Sequence, residues 1–231
     1  MKNINWAKIV RWLVVLAMPF LLTLGTLRLV IVWDSPSYPT FEYGRIAPDR
    51  YGFTQEERLE LAEATLDYLR SSEPADEAIR LLEQLRLPGA DQPLYNEREI
   101  GHMLDVKELT DLFSRLIWVA AIVVIGGLLY LLLQRERRTE GYRAMMHGGL
   151  FTTGALLLVI VLIGLSWNFV FTQFHEILFP PDTWTFSFSD SLIRLFPEKF
   201  WFDFGLVWTG AVLLEGIVLS VLGYWLLKRA S

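Results

Sequence analysis

Four long apolar segments constrain the fold of this chain more strongly than any other feature of its sequence. They cover residues 12–33, 116–133, 148–170 and 204–227, and few charged side chains interrupt them. A helix of about 20 apolar residues is long enough to cross the hydrocarbon core of a bilayer. The pattern therefore predicts an all-α membrane protein with four transmembrane helices.

Lysine and arginine residues flank these segments on one side of a four-span topology. They lie in residues 2–11, in the connector 135–147 and at residues 228–229. Because basic loops stay in the cytoplasm, we expect both termini there and the first segment to be a retained anchor. The predicted limits are 1–33 for the cytoplasmic N-terminus and first span, 34–112 for an extracytoplasmic cap, 113–134 for the second span, 135–147 for a cytoplasmic loop, 148–170 for the third span, 171–203 for an extracytoplasmic loop, and 204–231 for the fourth span and cytoplasmic C-terminus.

The segment 34–112 is too long for a structureless loop, so it should fold as a small, mainly helical cap. Thr54 followed by Glu57 is a capping-box pattern that opens a helix. A second helix is predicted from Pro74 to the Pro88-Gly89 pair, and a third from Asp105 into the second span.

Two charged residues, Arg28 and Glu215, lie within predicted spans. A charge facing lipid is costly, so each is expected to have a partner or a polar cavity. A structural polar contact between helices is the favoured interpretation of Glu215, with a catalytic role as the alternative.

Composition excludes several classes of protein. The chain has no cysteine, which rules out disulfides, thiolate metal sites and a cysteine nucleophile. Its net charge of −5 argues against nucleic-acid binding. Neither a phosphate-binding glycine loop nor a G-x-S-x-G elbow occurs, so nucleotide hydrolysis and serine-hydrolase chemistry have no support.

The topology places two of the three histidines, His102 and His175, at the same level on the outer face. Each lies at the outer end of one predicted span. His102 is expected in a turn before Asp105, at the outer end of the second span. His175 follows the third span and precedes Pro180-Pro181. His147 falls on the opposite side and is interpreted as structural. Carboxylates surround His102 and aromatic residues surround His175, as expected of a site that handles acyl chains at an interface.

General acid–base catalysis by two imidazoles is the chemistry that this pattern favours. Alternatives stay open: a pair of structural interfacial histidines, a metal site completed by Glu176 or Asp105, or a non-enzymatic scaffold or sensor whose acidic cap binds a partner. A transporter is disfavoured because the two halves show no repeat.

Two stretches of the sequence resemble a known family. The run from Asn96 to Lys107 resembles the N-x-R-E-x-x-H-M-x-D-V-K signature of the lipoprotein intramolecular transacylase family. Phe174-His175 and the residues that follow, as far as Glu198, are similar to its second signature. The resemblance covers the whole chain, with departures at Pro180-Pro181 and Leu195 that bear on the shape of a pocket.

The resemblance implies an O-to-N acyltransferase of the bacterial cytoplasmic membrane, with its active site at the outer face. Such enzymes transfer the sn-2 acyl chain of a diacylglyceryl-modified lipoprotein to the α-amino group of its own N-terminal cysteine. His102 and His175 would be catalytic, and no cofactor or metal is implied. The partners would be lipoproteins and membrane lipids. The candidate substrate-binding residues are Arg98, Met103, Asp105, Lys107, Phe174, Glu176, Phe179 and Trp184.

Overall fold

The computed structural model describes residues 5–33 and 37–230, and regular structure there is helical apart from one isolated bridge between Arg86 and Pro93. Lys2 and the predicted boundary at residue 34 lie outside the described residues. The α-helices are α1 (Trp6–Val32), α2 (Tyr38–Tyr43), α3 (Gln55–Arg70), α4 (Ala75–Ala78), α5 (Arg80–Glu83), α6 (Glu97–Ala121), α7 (Gly127–Leu132), α8 (Arg138–Leu165), α9 (Trp167–Leu178), α10 (Ser191–Leu195) and α11 (Glu198–Ala230).

Within the described residues, four helical stretches are long and apolar enough to cross a membrane. They are Trp6–Val32, Glu97–Leu132, Arg135–Leu165 and Glu198–Ala230. The second joins α6 to α7 through a π-helical turn at Ile122–Gly126. The prediction of an all-α membrane protein with four spans is confirmed.

The chain forms two compact units. Unit 1 consists of Met1–Arg28, Phe113–Leu165 and Leu206–Ser231. Val14, Met18 and Leu131 are among the buried residues of its core. Within this unit Glu215 accepts a hydrogen bond of 3.0 Å from the Thr26 hydroxyl, which is the polar contact between helices favoured for this residue.

Unit 2 consists of Leu29–Leu112 and Ser166–Gly205. Its core includes Tyr68, Leu82 and Leu195, which are almost fully buried. Buried tyrosine hydroxyls find backbone acceptors: Tyr68 donates to the carbonyl of Met103 at 2.9 Å, and Tyr43 donates to that of Leu195 at 2.7 Å. These bonds satisfy polar groups that would otherwise be costly to bury.

Local signals locate some helix ends and miss others. The capping box of Thr54 and Glu57 is present at the start of α3, as predicted. The expected helix after Pro74 is instead the short pair α4 and α5, and it ends at Glu83. The helix of the predicted third span ends at Leu165, where Ser166 adopts an extended conformation and caps α9. His175 therefore lies on a separate helix.

Candidate functional site

His102 lies in the second turn of α6, so the expectation that it occupies a turn before a helix starting at Asp105 is wrong. The helix begins at Glu97 because Asn96 caps it. The Asn96 side-chain oxygen accepts hydrogen bonds from the backbone N–H groups of Arg98 and Glu99, each at 3.0 Å. The Glu99 carboxylate accepts one from the Asn96 N–H at 2.8 Å, which completes a capping box.

His175 lies in the last turn of α9, one turn after Phe171. Its Nδ1 is 2.7 Å from the Phe171 carbonyl oxygen. A carbonyl oxygen only accepts, so Nδ1 carries the hydrogen and donates it. In the neutral ring Nε2 then holds a free lone pair, which makes it the nitrogen able to accept a proton from a substrate.

The two imidazoles face each other in unit 2. Their ring centroids are 6.2 Å apart and their planes are inclined by 28°. Phe179 contacts both rings: its ring centroid is 4.9 Å from that of His102 and 5.5 Å from that of His175. Trp184 lies 4.9 Å from His175, and Phe186 lies 5.4 Å from His102. Aromatic side chains thus surround both catalytic candidates.

Burial controls the protonation of this pair. Burial lowers the pKa of His175 below its ordinary value, and the hydrogen bond to Phe171 opposes this only in part. His102 is 7% exposed, and its Nδ1 makes no hydrogen bond within residues 5–33 and 37–230. Two positive rings at this separation would repel each other. The arrangement therefore suits a pair that holds at most one added proton at a time rather than two resident charges.

Three of the predicted substrate-binding residues contact the pair. Phe179 and Trp184 do so as described, and the Phe174 ring lies 5.3 Å from that of His175. Phe174 is about half exposed. It can therefore line an approach to the imidazoles, whereas the buried Phe179 forms part of the wall.

Two polar members of the predicted set hold the loop after α9 against α6. Arg98 is 3.8 Å from the Asp190 carboxylate, and its guanidinium lies over the Phe186 ring at 5.7 Å. Burial raises the pKa of the Asp105 carboxyl, and the side chain of Thr183 opposes this shift in part. Arg98 and Asp105 are one turn before and one turn after His102, so they flank it on one face of α6.

The remaining predicted residues make their contacts elsewhere in unit 2. Met103 packs in the core, and Lys107 is buried in an ion pair with Asp111 at 2.7 Å. Glu176 accepts a hydrogen bond of 2.6 Å from Gln173. These contacts give the three residues structural partners of their own.

Sequence reasoning missed two residues that touch the histidines. Phe171 was detectable in principle, because it precedes His175 by one helical turn and so shares its face. Phe186 was not, because it lies in an irregular loop whose path depends on the rest of unit 2. The part of the chain that the structure describes contains no group of three histidine, aspartate or glutamate side chains placed to hold a metal. His147 is in unit 1, 6.3 Å from the Trp12 ring.

Comparison with known proteins gives one family match and one curated relative. A profile of the family described as lipoprotein intramolecular transacylase Lit matches residues 12–201. A protein of Aquifex aeolicus (strain VF5), described only as uncharacterized, is 31% identical over 171 residues, which are 73% of each chain. The family match covers most of the chain.

Solved structures match the fold. The membrane integral lipoprotein intramolecular transacylase Lit from Bacillus cereus matches with a TM-score of 0.75 at 20% identity, over 98% of this chain and 96% of that one. A variant of that protein with one histidine replaced by alanine matches with a TM-score of 0.73 at 19% identity, over 97% and 95% of the two chains. At these identities the likeness establishes the all-helical fold.

Proposed function

This chain belongs to the lipoprotein intramolecular transacylase family, and on that premise we propose that it moves an acyl chain within a single lipoprotein molecule. The acyl chain leaves the sn-2 oxygen of the diacylglyceryl group and is transferred to the α-amino group of the N-terminal cysteine. The product is a lyso-form lipoprotein. No enzyme nucleophile is needed, which agrees with a chain that has no cysteine.

The observation that carries this proposal is the pair of facing imidazoles with different hydrogen-bonding states. His175 has its Nδ1 hydrogen committed to Phe171, which leaves Nε2 as a base. His102 has a buried Nδ1 without a partner among the described residues. A base in this position can take the proton that a nucleophile releases during acyl transfer, and the second imidazole is close enough to assist it.

In the first step, the α-amino nitrogen attacks the carbonyl carbon of the sn-2 ester. An α-amino group has a pKa near 8, so it first releases its extra proton to the surrounding water and so becomes a nucleophile. As the new N–C bond forms, a second proton passes from this nitrogen to Nε2 of His175. The carbonyl oxygen becomes an oxyanion, which a hydrogen bond from His102 would stabilise.

In the second step, the bond between the carbonyl carbon and the glyceryl oxygen breaks. The His175 imidazolium returns its proton to that oxygen, which leaves as a free hydroxyl. The amide is complete and both histidines are back in their starting states. Each well-placed proton transfer contributes about 10²–10⁴-fold in rate.

The main contribution of the protein is to hold the lipid head group so that the amine and the ester carbonyl are in contact. Arg98, Asp105, Lys107 and Glu176 are candidates for contacting the glyceryl or peptide groups, either directly or by orienting the pair. Phe174, Phe179, Trp184 and Met103 are candidates for contacting the acyl chain. The enzyme would need no cofactor or metal.

We place the protein in the bacterial cytoplasmic membrane, with both termini in the cytoplasm. The basic connector 135–147 supports this orientation, since basic loops stay inside. The segments 34–112 and 171–203, which carry both candidate histidines, are then on the outer side, where lipoproteins receive their lipids.

Mass spectrometry of a defined diacylated lipoprotein tests the proposal. The purified protein should convert this substrate to the N-acylated lyso form of identical mass, distinguishable by fragmentation. His175→Ala and His102→Ala should each lower the rate by at least about 10²-fold. His147→Ala is the matched control, because His147 lies in the other unit, and it should keep the full rate.

Full activity in both His102→Ala and His175→Ala would exclude the catalytic assignment. A scaffold or sensor predicts a different result: no conversion by the unmodified protein, and a stable complex with a partner that survives the loss of both histidines. A metalloenzyme predicts conversion that a chelator abolishes.

A further inference from the structure

Glu99 lies one turn before His102 on α6 and is only 1% exposed, yet the reaction described above does not use it. A buried carboxylate is costly unless hydrogen bonds satisfy both of its oxygens. Each oxygen of Glu99 has one backbone donor, and the two donors belong to different helices. This arrangement sets Glu99 apart from an ordinary helix-capping residue.

One oxygen closes the capping box of α6. It accepts the Asn96 N–H at 2.8 Å. The other oxygen accepts the Leu192 N–H in the first turn of α10 at 2.7 Å. Asp190 occupies the N-cap position of α10 but makes no side-chain cap there, because its carboxylate accepts the Ser187 N–H at 2.8 Å instead. Glu99 therefore supplies the cap that α10 lacks.

The second bond matters for the active site because of what precedes α10. Phe186 is five residues before Ser191, and its ring lies 5.4 Å from the His102 ring. The loop between them is short, so a fixed first turn of α10 limits where Phe186 can lie. The same carboxylate also fixes the start of the helix that carries His102.

We propose that Glu99 is a positioning residue for His102: one buried carboxylate caps α6 and α10 together and so holds Phe186 against the imidazole. The acyl-transfer assay as a measure of Glu99 rests on the proposed function, whereas the position of His102 can be measured whether or not that function holds. The experiment therefore measures both, so that failure of one can be told from failure of the other.

The position of His102 is read from the ¹⁵N spectrum of protein labelled only at histidine. Three imidazoles contribute signals, and His102→Gln, His147→Gln and His175→Gln assign them. Glu99→Gln keeps the shape of the side chain but has only one acceptor oxygen, so one of the two N–H groups loses its partner. We expect the His102 signal to shift and the His147 signal, in the other unit, to stay unchanged.

Glu57→Ala is the matched control for the loss of a cap. Glu57 closes the capping box of α3 in the same unit, accepting the Thr54 N–H at 2.8 Å, and neither of its oxygens bonds α10. It should leave the His102 signal unmoved. In the acyl-transfer assay, Glu99→Gln should lower the rate by on the order of 10²-fold, as expected for a small displacement of a catalytic group, while Glu57→Ala keeps the rate.

A second measurement uses the unmodified protein, in case Glu99 variants do not fold. The Leu192 amide should exchange slowly with deuterium, because it is buried and bonded to Glu99. Free exchange at Leu192 would overturn the proposal. So would an unmoved His102 signal in folded Glu99→Gln, or an equal shift in Glu57→Ala. If the unmodified protein shows no acyl transfer, the spectra still decide the role of Glu99.

Discussion

Phe171 accepts a hydrogen bond from His175 through its backbone oxygen, and this one contact distinguishes the two nitrogens of the ring. The sequence shows that a histidine is present but not which nitrogen carries the hydrogen. Helical spacing places residues four apart on one face, so the contact is local. The tautomer follows from the orientation of the ring toward its own helix rather than toward solvent.

We expect His175 to be neutral at about pH 7, with its hydrogen on Nδ1. Burial lowers the pKa of His175, so the ring gains its charge only at a pH below the ordinary histidine value of about 6.5. The ¹⁵N shifts of a histidine-labelled sample report both the tautomer and the titration midpoint. A hydrogen on Nε2, or a midpoint above 6.5, would contradict this expectation.

Lys107 and Met103 show what residue-level reasoning leaves open. Both lie in the signature that resembles the family, and this position is the reason to expect them to contact substrate. The structure gives Lys107 an ion pair with Asp111, and Met103 a place in the core of unit 2. A charged side chain is almost never fully buried without a partner. Burial of Lys107 therefore requires a partner, but the sequence does not show that the partner is Asp111.

At the scale of helices, glycine decides how closely α8 and α11 approach within unit 1. A Cβ added at Gly149 would lie 2.4 Å from the backbone oxygen of Gly216. A Cβ added at Gly216 would lie 2.8 Å from the Thr153 hydroxyl oxygen. Small residues that let helix backbones meet are a known means of association in membranes, where apolar burial gives no advantage over lipid.

Gly149→Ala should therefore destabilise the protein by about 1–3 kcal/mol, because the two backbones must move apart. The unfolding midpoint in mixed detergent measures this. Gly154→Ala, on the same helix with no atom within 4 Å of the added Cβ, is the control. It should be neutral or stabilising by up to about 1 kcal/mol, since alanine favours helix. Equal effects at both positions would show that the close approach is unimportant.

The start of α6 shows why helix ends were harder to predict than helices. The pattern at Asp105 predicted a start there, but Asn96 and Glu99 provide an earlier capping box. Both patterns satisfy the local rule. Glu99 gains a second donor, Leu192, that the sequence does not show, and this long-range bond stabilises the earlier start.

At the scale of the molecule, the distribution of basic residues predicts the orientation across the membrane. The absence of native cysteine makes the chain suitable for labelling single introduced cysteines. Asp91→Cys is in the predicted outer segment and Glu136→Cys in the predicted cytoplasmic connector, and both positions are exposed. A membrane-impermeant maleimide applied to intact spheroplasts should label Asp91→Cys and leave Glu136→Cys unlabelled until the membrane is broken.

The reverse pattern of labelling would invert the topology and place the histidines in the cytoplasm. Labelling of both positions in intact spheroplasts would mean that the connector 135–147 is not on the inside. Either result would remove the outer-face location from the proposed function, while leaving the family assignment as it stands.

The sequence by itself determined the four spans and the all-helical class, and it singled out His102 and His175 as the candidate pair. Hydropathy and helical period are local properties, so about 20 consecutive apolar residues are sufficient to predict a span. Tertiary structure alone decided that the imidazoles of His102 and His175 lie 6.2 Å apart, that Phe186 contacts His102, and that Glu99 bonds α10. Each of these contacts joins residues far apart in the chain, and their geometry depends on how all the elements of unit 2 pack at once.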